Sequence, residues 1–372
     1  MLTYRERFAR TLAHQAVDRP PMDLGATDMT EVSGGPRALA TALGLDAQAA
    51  DADEAVLQAL DIDVRSVGTV LSPASPLACT RANGDQVDCW GVVRRSTGHS
   101  WEIVENPLRG ADLDALERFP WPDPERLDPA ALRRLGAEAR RLHETTPYVV
   151  VARHPVYGIL ELGCWMCGFD DFLARLAMDE EFVERFFARV WAYQKRVQEL
   201  YFTEVGRWCH LTTSGDDFGS QAAPLLSPAM FRRLIRPRLA ERFAHIRTLS
   251  AAAIFHHTCG AVRPLIPDLI AAGVEILNPI QPNAVGMAPA GLKRDFGDRL
   301  CFYGGVDTQQ LLPHGDPAAV AAAVRELVAT IGRDGGYILS PAHVLQADVP
   351  AANAVALYRA GAGATAFTGR AA

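Results

Sequence analysis

From about residue 145 onward, apolar runs too short to be helices alternate with longer segments of helical periodicity, and that order admits few folds. YVVVARHP is followed by FDDFLARLAMD and EEFVERFFARVWAYQKRVQELYFTEVG. The strand and loop WCHLTTSGDDFGS then precedes the helix PAMFRRLIRPRLAERFAHIRTL, with Pro228 in its first turn. AAIFHHTCG leads into VRPLIPDLIAAG, closed by Gly273, and VEILNPIQP leads into GLKRDFGDR. LCFYGGVDT precedes DPAAVAAAVRELVATIG, and GYILSPAHV precedes VPAANAVALYRAG. Repeated β-then-α implies a parallel sheet buried on both faces. The number of units and the 372 residues favour one α/β domain, a (β/α)8 TIM barrel, over an open doubly wound sheet. No G-x-G-x-x-G turn follows any strand, which speaks against a dinucleotide fold.

The first 145 residues are less regular. TYRERFARTLAHQ reads as a helix, RPPMDLGA as an early strand, ADEAVLQAL as a helix and DIDVRSVG as a strand. Residues 72–110 combine turn residues with strand-like alternation, which predicts a β-hairpin insertion over the barrel mouth. PWPDPERLDP is a connector. The net charge of −7, without a basic run, excludes nucleic acid and anionic membrane as main partners. No stretch has signal-peptide or membrane-span character, and the seven scattered cysteines do not form a secreted disulfide framework. The expectation is a soluble cytoplasmic protein in a reducing compartment.

In such a barrel the C-terminal strand ends share one mouth. Here they carry Asp216 and Asp217 in SGDDFGSQ, His257 and Cys259 in HHTCG, Asn278 in LNPIQP, Asp307 in GGVDTQ and His343 in SPAH. His257 and Cys259 stand two apart, so on an extended strand they point to one side. Imidazole nitrogen and thiolate sulfur suit Zn²⁺, and a catalytic zinc takes about three protein ligands and keeps one position open. His343, at another strand end, is the candidate third ligand. An isolated His-x-Cys can equally cap a buried strand. His256 alternates to the helix side. Asp216 and Asp217 are adjacent, so at most one faces the mouth, and a turn or helix cap is the plain alternative. Asp217, Asp307 and His343 are candidate catalytic residues, and Asp216, Asn278 and Gln221 candidate substrate contacts. Cys164 and Cys167, with no second pair, read as helix packing. Cys79, Cys89, Cys209 and Cys301 read as small buried hydrophobes.

SGDDFGSQAAPLLSPAMFRRLIRPRL, FHHTCGAVRPLIPDLIAAGVEILNPIQP, CFYGGVDTQQLLP and GGYILSPAHVLQADVPAANAVALY resemble, in order, the uroporphyrinogen decarboxylase superfamily, including its methyltransferase branch. The opening ERFARTLAHQAVDRPPM is similar too. The resemblance implies a distorted (β/α)8 barrel. True decarboxylases carry R-Q-A-G-R after the first strand, and here the stretch is LGATDMTEVSGG, without arginine. Methyltransferases of the branch bind zinc through H-x-C-G and a later cysteine. His257-Thr258-Cys259-Gly260 matches the first part, and His343 stands at the second position. The resemblance therefore implies a zinc-dependent methyltransferase. It would act on a small methylated substrate or thiol and a corrinoid (cobalamin) carried by a separate protein, since no D-x-H-x-x-G motif occurs. The rival readings are a metal-independent decarboxylase or lyase using His343 and an aspartate, and a non-enzymatic binding protein.

Overall fold

The computed structural model describes residues 1–98, 101–332 and 334–363. Its strands in chain order begin with β1 (Val64–Val67). The short strands β2 (Cys79–Thr80), β3 (Gln86–Val87), β4 (Val93–Ser96) and β5 (Trp101–Glu105) follow. The rest are β6 (Val149–Ala152), β7 (Leu211–Thr212), β8 (Ala253–His257), β9 (Ile276–Ile280), β10 (Cys301–Gly304) and β11 (Tyr337–Ile338). β1, β6, β7, β8, β9, β10 and β11 form one seven-stranded sheet in that order. Its pairs are parallel. Every residue of β6, β8, β9 and β10 is buried, as a sheet with covered faces requires.

The early strand expected in RPPMDLGA is only a bridge from Met22 to Leu339. Pro20 and Pro21 have no N–H to give a ladder, so few bonds can form. Those few still join the two edges of the sheet. Leu339 N–H donates to Pro21 O, Asp23 N–H donates to Leu339 O, and Asp63 N–H donates to Met22 O. The curled sheet thereby closes as a distorted (β/α)8 barrel.

Helices wrap the outside. The longest, Glu180–Val205, buries Phe182, Phe186, Val190 and Val197 on one stripe. The helix expected over 228–249 contains a π-helical turn at Phe231–Ile235. Pro237 explains it, because proline offers no N–H and crowds the carbonyl four residues back. β2, β3, β4 and β5 form a four-stranded antiparallel sheet rather than one hairpin. The segment just after β5 joins helix Ile159–Cys167, with Asn106 Nδ2 donating to Trp165 O at 2.8 Å and Leu108 N–H to Met166 O at 2.8 Å. Cys164 and Cys167 lie buried in that helix, and burial pushes both thiols up, Cys167 to about 12. Cys79 is exposed rather than buried. No helix among the described residues is long and apolar enough to cross a membrane.

Candidate metal centre

β8 ends at His257, and the parallel register sets His257 opposite Asn278 on β9. The Asn278 Nδ2 group donates to Tyr303 O at 3.3 Å, which turns Oδ1 toward His257 Nδ1 at 2.6 Å. Only an N–H on Nδ1 satisfies that oxygen, so in the neutral ring Nε2 carries the lone pair. Nε2 lies 3.3 Å from Cys259 Sγ. The His343 ring, from the loop after β11, stands edge-on to His257 at 5.8 Å. One ligand atom from each of His257, Cys259 and His343 falls within 4.8 Å of the others. His257 is buried, and Cys259 and His343 are half-buried. The three side chains thus converge on one point.

Asp217 accepts the Cys259 N–H at 2.7 Å and lies 3.5 Å from His257 Nε2. Gly260 follows at φ +86°, and a Cβ there would strike Gly219 backbone at 2.5 Å, so the turn needs glycine. Burial, with the charges of Asp217 and Glu161, pushes the Cys259 thiol well up. Burial and neighbouring His257 hold His343 down at about 4. The ligand set therefore waits as one thiol and at least one neutral imidazole in a field of carboxylates, a setting that favours a divalent cation. Donor chemistry, spacing and fixed tautomer all fit zinc.

Metal uptake is expected to expel at least about one proton, from Cys259, so affinity should rise roughly tenfold per pH unit between about pH 6 and 8. The sign follows from the thiol, which is protonated without metal and competes less as pH rises. His343, held at about 4, takes no part in that window. Zinc titrations by calorimetry in buffers of different ionisation heat measure the release, and none at all would remove Cys259 from the ligands.

The remaining candidates divide. Asp216, expected at the substrate, is wholly buried. Its oxygens accept from Leu160 N–H at 3.0 Å and Glu161 N–H at 2.9 Å, capping helix Ile159–Cys167. Burial pushes its carboxyl up to about 7. Asn278 is likewise buried, and its amide is engaged by His257 and Tyr303. Asp307 caps the turn after β10, accepting from Gln309, Gln310 and Leu311 N–H. With exposed Gln221, half-buried Gln281 and buried Ala342, the residue before His343, it lines a small cavity. A cavity of about 320 Å³ next to it, between helices Pro289–Phe296 and Pro317–Ile331, has no histidine or cysteine in its walls. His256 packs against Phe218 and Phe243, on the helix side as its alternation requires. Two residues of the mouth went unassigned in sequence. His154, after β6, sits with Nδ1 3.0 Å from Thr213 Oγ1. Glu161 sits in the first turn of helix Ile159–Cys167. The signal for both was position, since the C-terminal end of a barrel strand and the next helix start border the mouth.

The uroporphyrinogen decarboxylase (URO-D) family matches residues 103–362, more than half of the chain. The chain belongs to the uroporphyrinogen decarboxylase family. Among solved structures, a methyltransferase from Methanosarcina mazei aligns with a TM-score of 0.63 at 17% identity, covering 97% of this chain and 99% of that one. At that identity the likeness attests the family's fold. A second, assigned as a vitamin-B12 independent methionine synthase from Listeria monocytogenes, reaches a TM-score of only 0.35 at 13% identity. It covers 58% of this chain and 64% of that one and carries no argument. No curated protein sequence matches the chain.

Proposed function

We propose that His257, Cys259 and His343 hold zinc, and that the protein moves a methyl group between a small thiol or methylated substrate and a corrinoid carried by a separate protein. The observation that carries this is the Asn278 bond, which occupies His257 Nδ1 and leaves Nε2 to meet Cys259 Sγ at 3.3 Å. A histidine that merely capped a strand would not need its second nitrogen set against a thiol. Family membership and the fold shared with a methyltransferase add support. Decarboxylation of a polyacidic porphyrinogen is disfavoured, because the stretch 24–35 has no arginine and the nearby Arg153 is paired with Asp28 and Glu31.

Zinc bound there would supply Lewis acidity, keeping a substrate thiol as thiolate near neutral pH. The chain's own residues do the rest. Asn278 fixes the imidazole plane of His257. Asp217, through the Cys259 N–H, pins the turn that presents sulfur. His343 brings the third donor from across the mouth. In the direction of the thiol, substrate sulfur would take the methyl carbon, the partner's corrinoid would keep the electron pair of the bond given up, and the thiol proton would leave to water. The test mixes the zinc-loaded protein with methylcobalamin and a small thiol. Loss of the methyl–cobalt absorbance is expected, and it should stop when a chelator removes the metal. Failure to transfer methyl to any thiol with zinc in place would sink the proposal. Carbon dioxide release that survives chelation would favour a lyase built on His343.

A further inference from the structure

His343 reaches the metal centre from a segment that lies in no strand. Two backbone anchors flank it. On one side Ala342 N–H donates to Val306 O at 2.8 Å, just after β10. On the other, Leu345 N–H donates to Glu31 O and Ser33 N–H donates to Leu345 O, each at 2.8 Å. The second anchor is only as firm as residues 25–33, an irregular stretch whose one ladder contact is the bridge from Val32 to Leu345.

Arg153 holds that stretch in place. It follows β6, and its own N–H donates to Val67 O at 2.9 Å. Its guanidinium reaches three points of the stretch. Nη1 donates to Asp28 Oδ1 at 2.8 Å and to Glu31 Oε1 at 2.7 Å, and Nη2 donates to Gly25 O. The side chain is only 15% exposed, so these contacts are little weakened by water. A planar fork of five donors serves three acceptors in one fixed geometry. Glu31 therefore faces two ways. Its carboxylate takes Arg153, and its carbonyl takes Leu345, two residues past His343. Buried Asp23 secures the base of the same stretch, accepting from Thr30 Oγ1 and Ala26 N–H. His257 and Cys259 need none of these bonds, since β8, Asn278 and Asp217 set them.

We propose that Arg153 is a positioning residue for His343, fixing through Glu31 the segment that carries the third metal donor. This rests on the zinc reading above. A donor already held in place costs less ordering when metal arrives, so the clamp raises affinity without touching the ion.

Competition with a chromogenic chelator measures zinc affinity in the parent, Arg153→Gln, His343→Ala and the double variant. Arg153→Gln is expected to weaken zinc about tenfold, the lower end for a residue that supports a ligand. In the His343→Ala background the same change should cost nothing, because the donor it positions is already gone. Arg153→Lys should restore part of the loss. Glu31→Gln repeats the cycle more gently, since it leaves Asp28 on the guanidinium and the carbonyl beneath Leu345. It decides the matter if Arg153→Gln fails to fold. Unchanged affinity in the folded variant, or an equal loss with and without His343, overturns the inference and leaves zinc binding itself standing. A parent protein that takes up no zinc overturns both.

Discussion

Cys259→Ala is expected to weaken zinc binding ~10²–10³-fold, because protein zinc affinities of ~10–16 kcal/mol spread over three or four ligands give ~3–4 kcal/mol for each. Loss at this position should be clean. The thiol hangs on the strand end, and Asp217 holds the Cys259 backbone N–H, which alanine keeps. Folding should therefore survive, and the loss should appear in metal content and not in the unfolding curve. His257→Ala should cost as much. Asn278→Ala touches no metal yet frees the imidazole to rotate and to exchange tautomers, so ~10–100-fold is expected there. Competition with a chromogenic chelator ranks the three variants against the parent. Cys259→Ala binding zinc as tightly as the parent would separate sulfur from the site. A loss at Cys259 with none at Asn278 would mean that something else fixes the His257 ring.

The ligand residues were legible because their chemistry is local. His257 and Cys259 sit two apart on a strand, and the period of two sets them on one side without any partner in view. The order of β and α segments likewise fixes a barrel and places every strand end at one mouth, which brought His343 into consideration from far along the chain. What sequence could not supply was register. That Asn278 meets His257 depends on how β8 and β9 align, and a shift of one residue would turn the amide away. Adjacent Asp216 and Asp217 posed a choice that spacing left open. The structure resolves it through a helix needing a cap on one side and the Cys259 N–H needing an acceptor on the other. Glu161 carried only the positional signal of a helix start after a barrel strand, and its bond to Asp216 through the cap shows only in the structure. The insertion was under-read because β2 and β3 are two residues long, too short for alternation to show.

Asp63→Ala should produce the largest loss of stability, and it should do so without touching the chemistry. Asp63 lies just before β1, at the end of the barrel opposite the mouth, and is wholly buried. One carboxylate oxygen takes Arg7 Nη1 at 2.7 Å. The other takes Arg19 Nη1 at 2.6 Å and Met22 N–H at 2.8 Å. Arg7 comes from helix Tyr4–Leu12, and Met22 belongs to the segment that closes the sheet. One side chain therefore ties the first helix, the closing segment and β1 together. Without it, two guanidiniums only 4% and 6% exposed keep Asp18 and Asp61 but lose their buried partner, and a buried N–H is orphaned. Removing one member of such a group costs ~3–5 kcal/mol. Asp61, nearly half exposed, is the internal control, and Asp61→Ala should cost under about 1 kcal/mol. Urea unfolding of the two variants measures the contrast. Zinc affinity of the folded Asp63→Ala protein should match the parent, because one end of the barrel carries stability and the other carries the site. Equal urea midpoints for the two variants would show that backbone pairing alone closes the barrel. Weakened zinc binding in folded Asp63→Ala protein would show instead that closure at the base sets the spacing of donors at the rim.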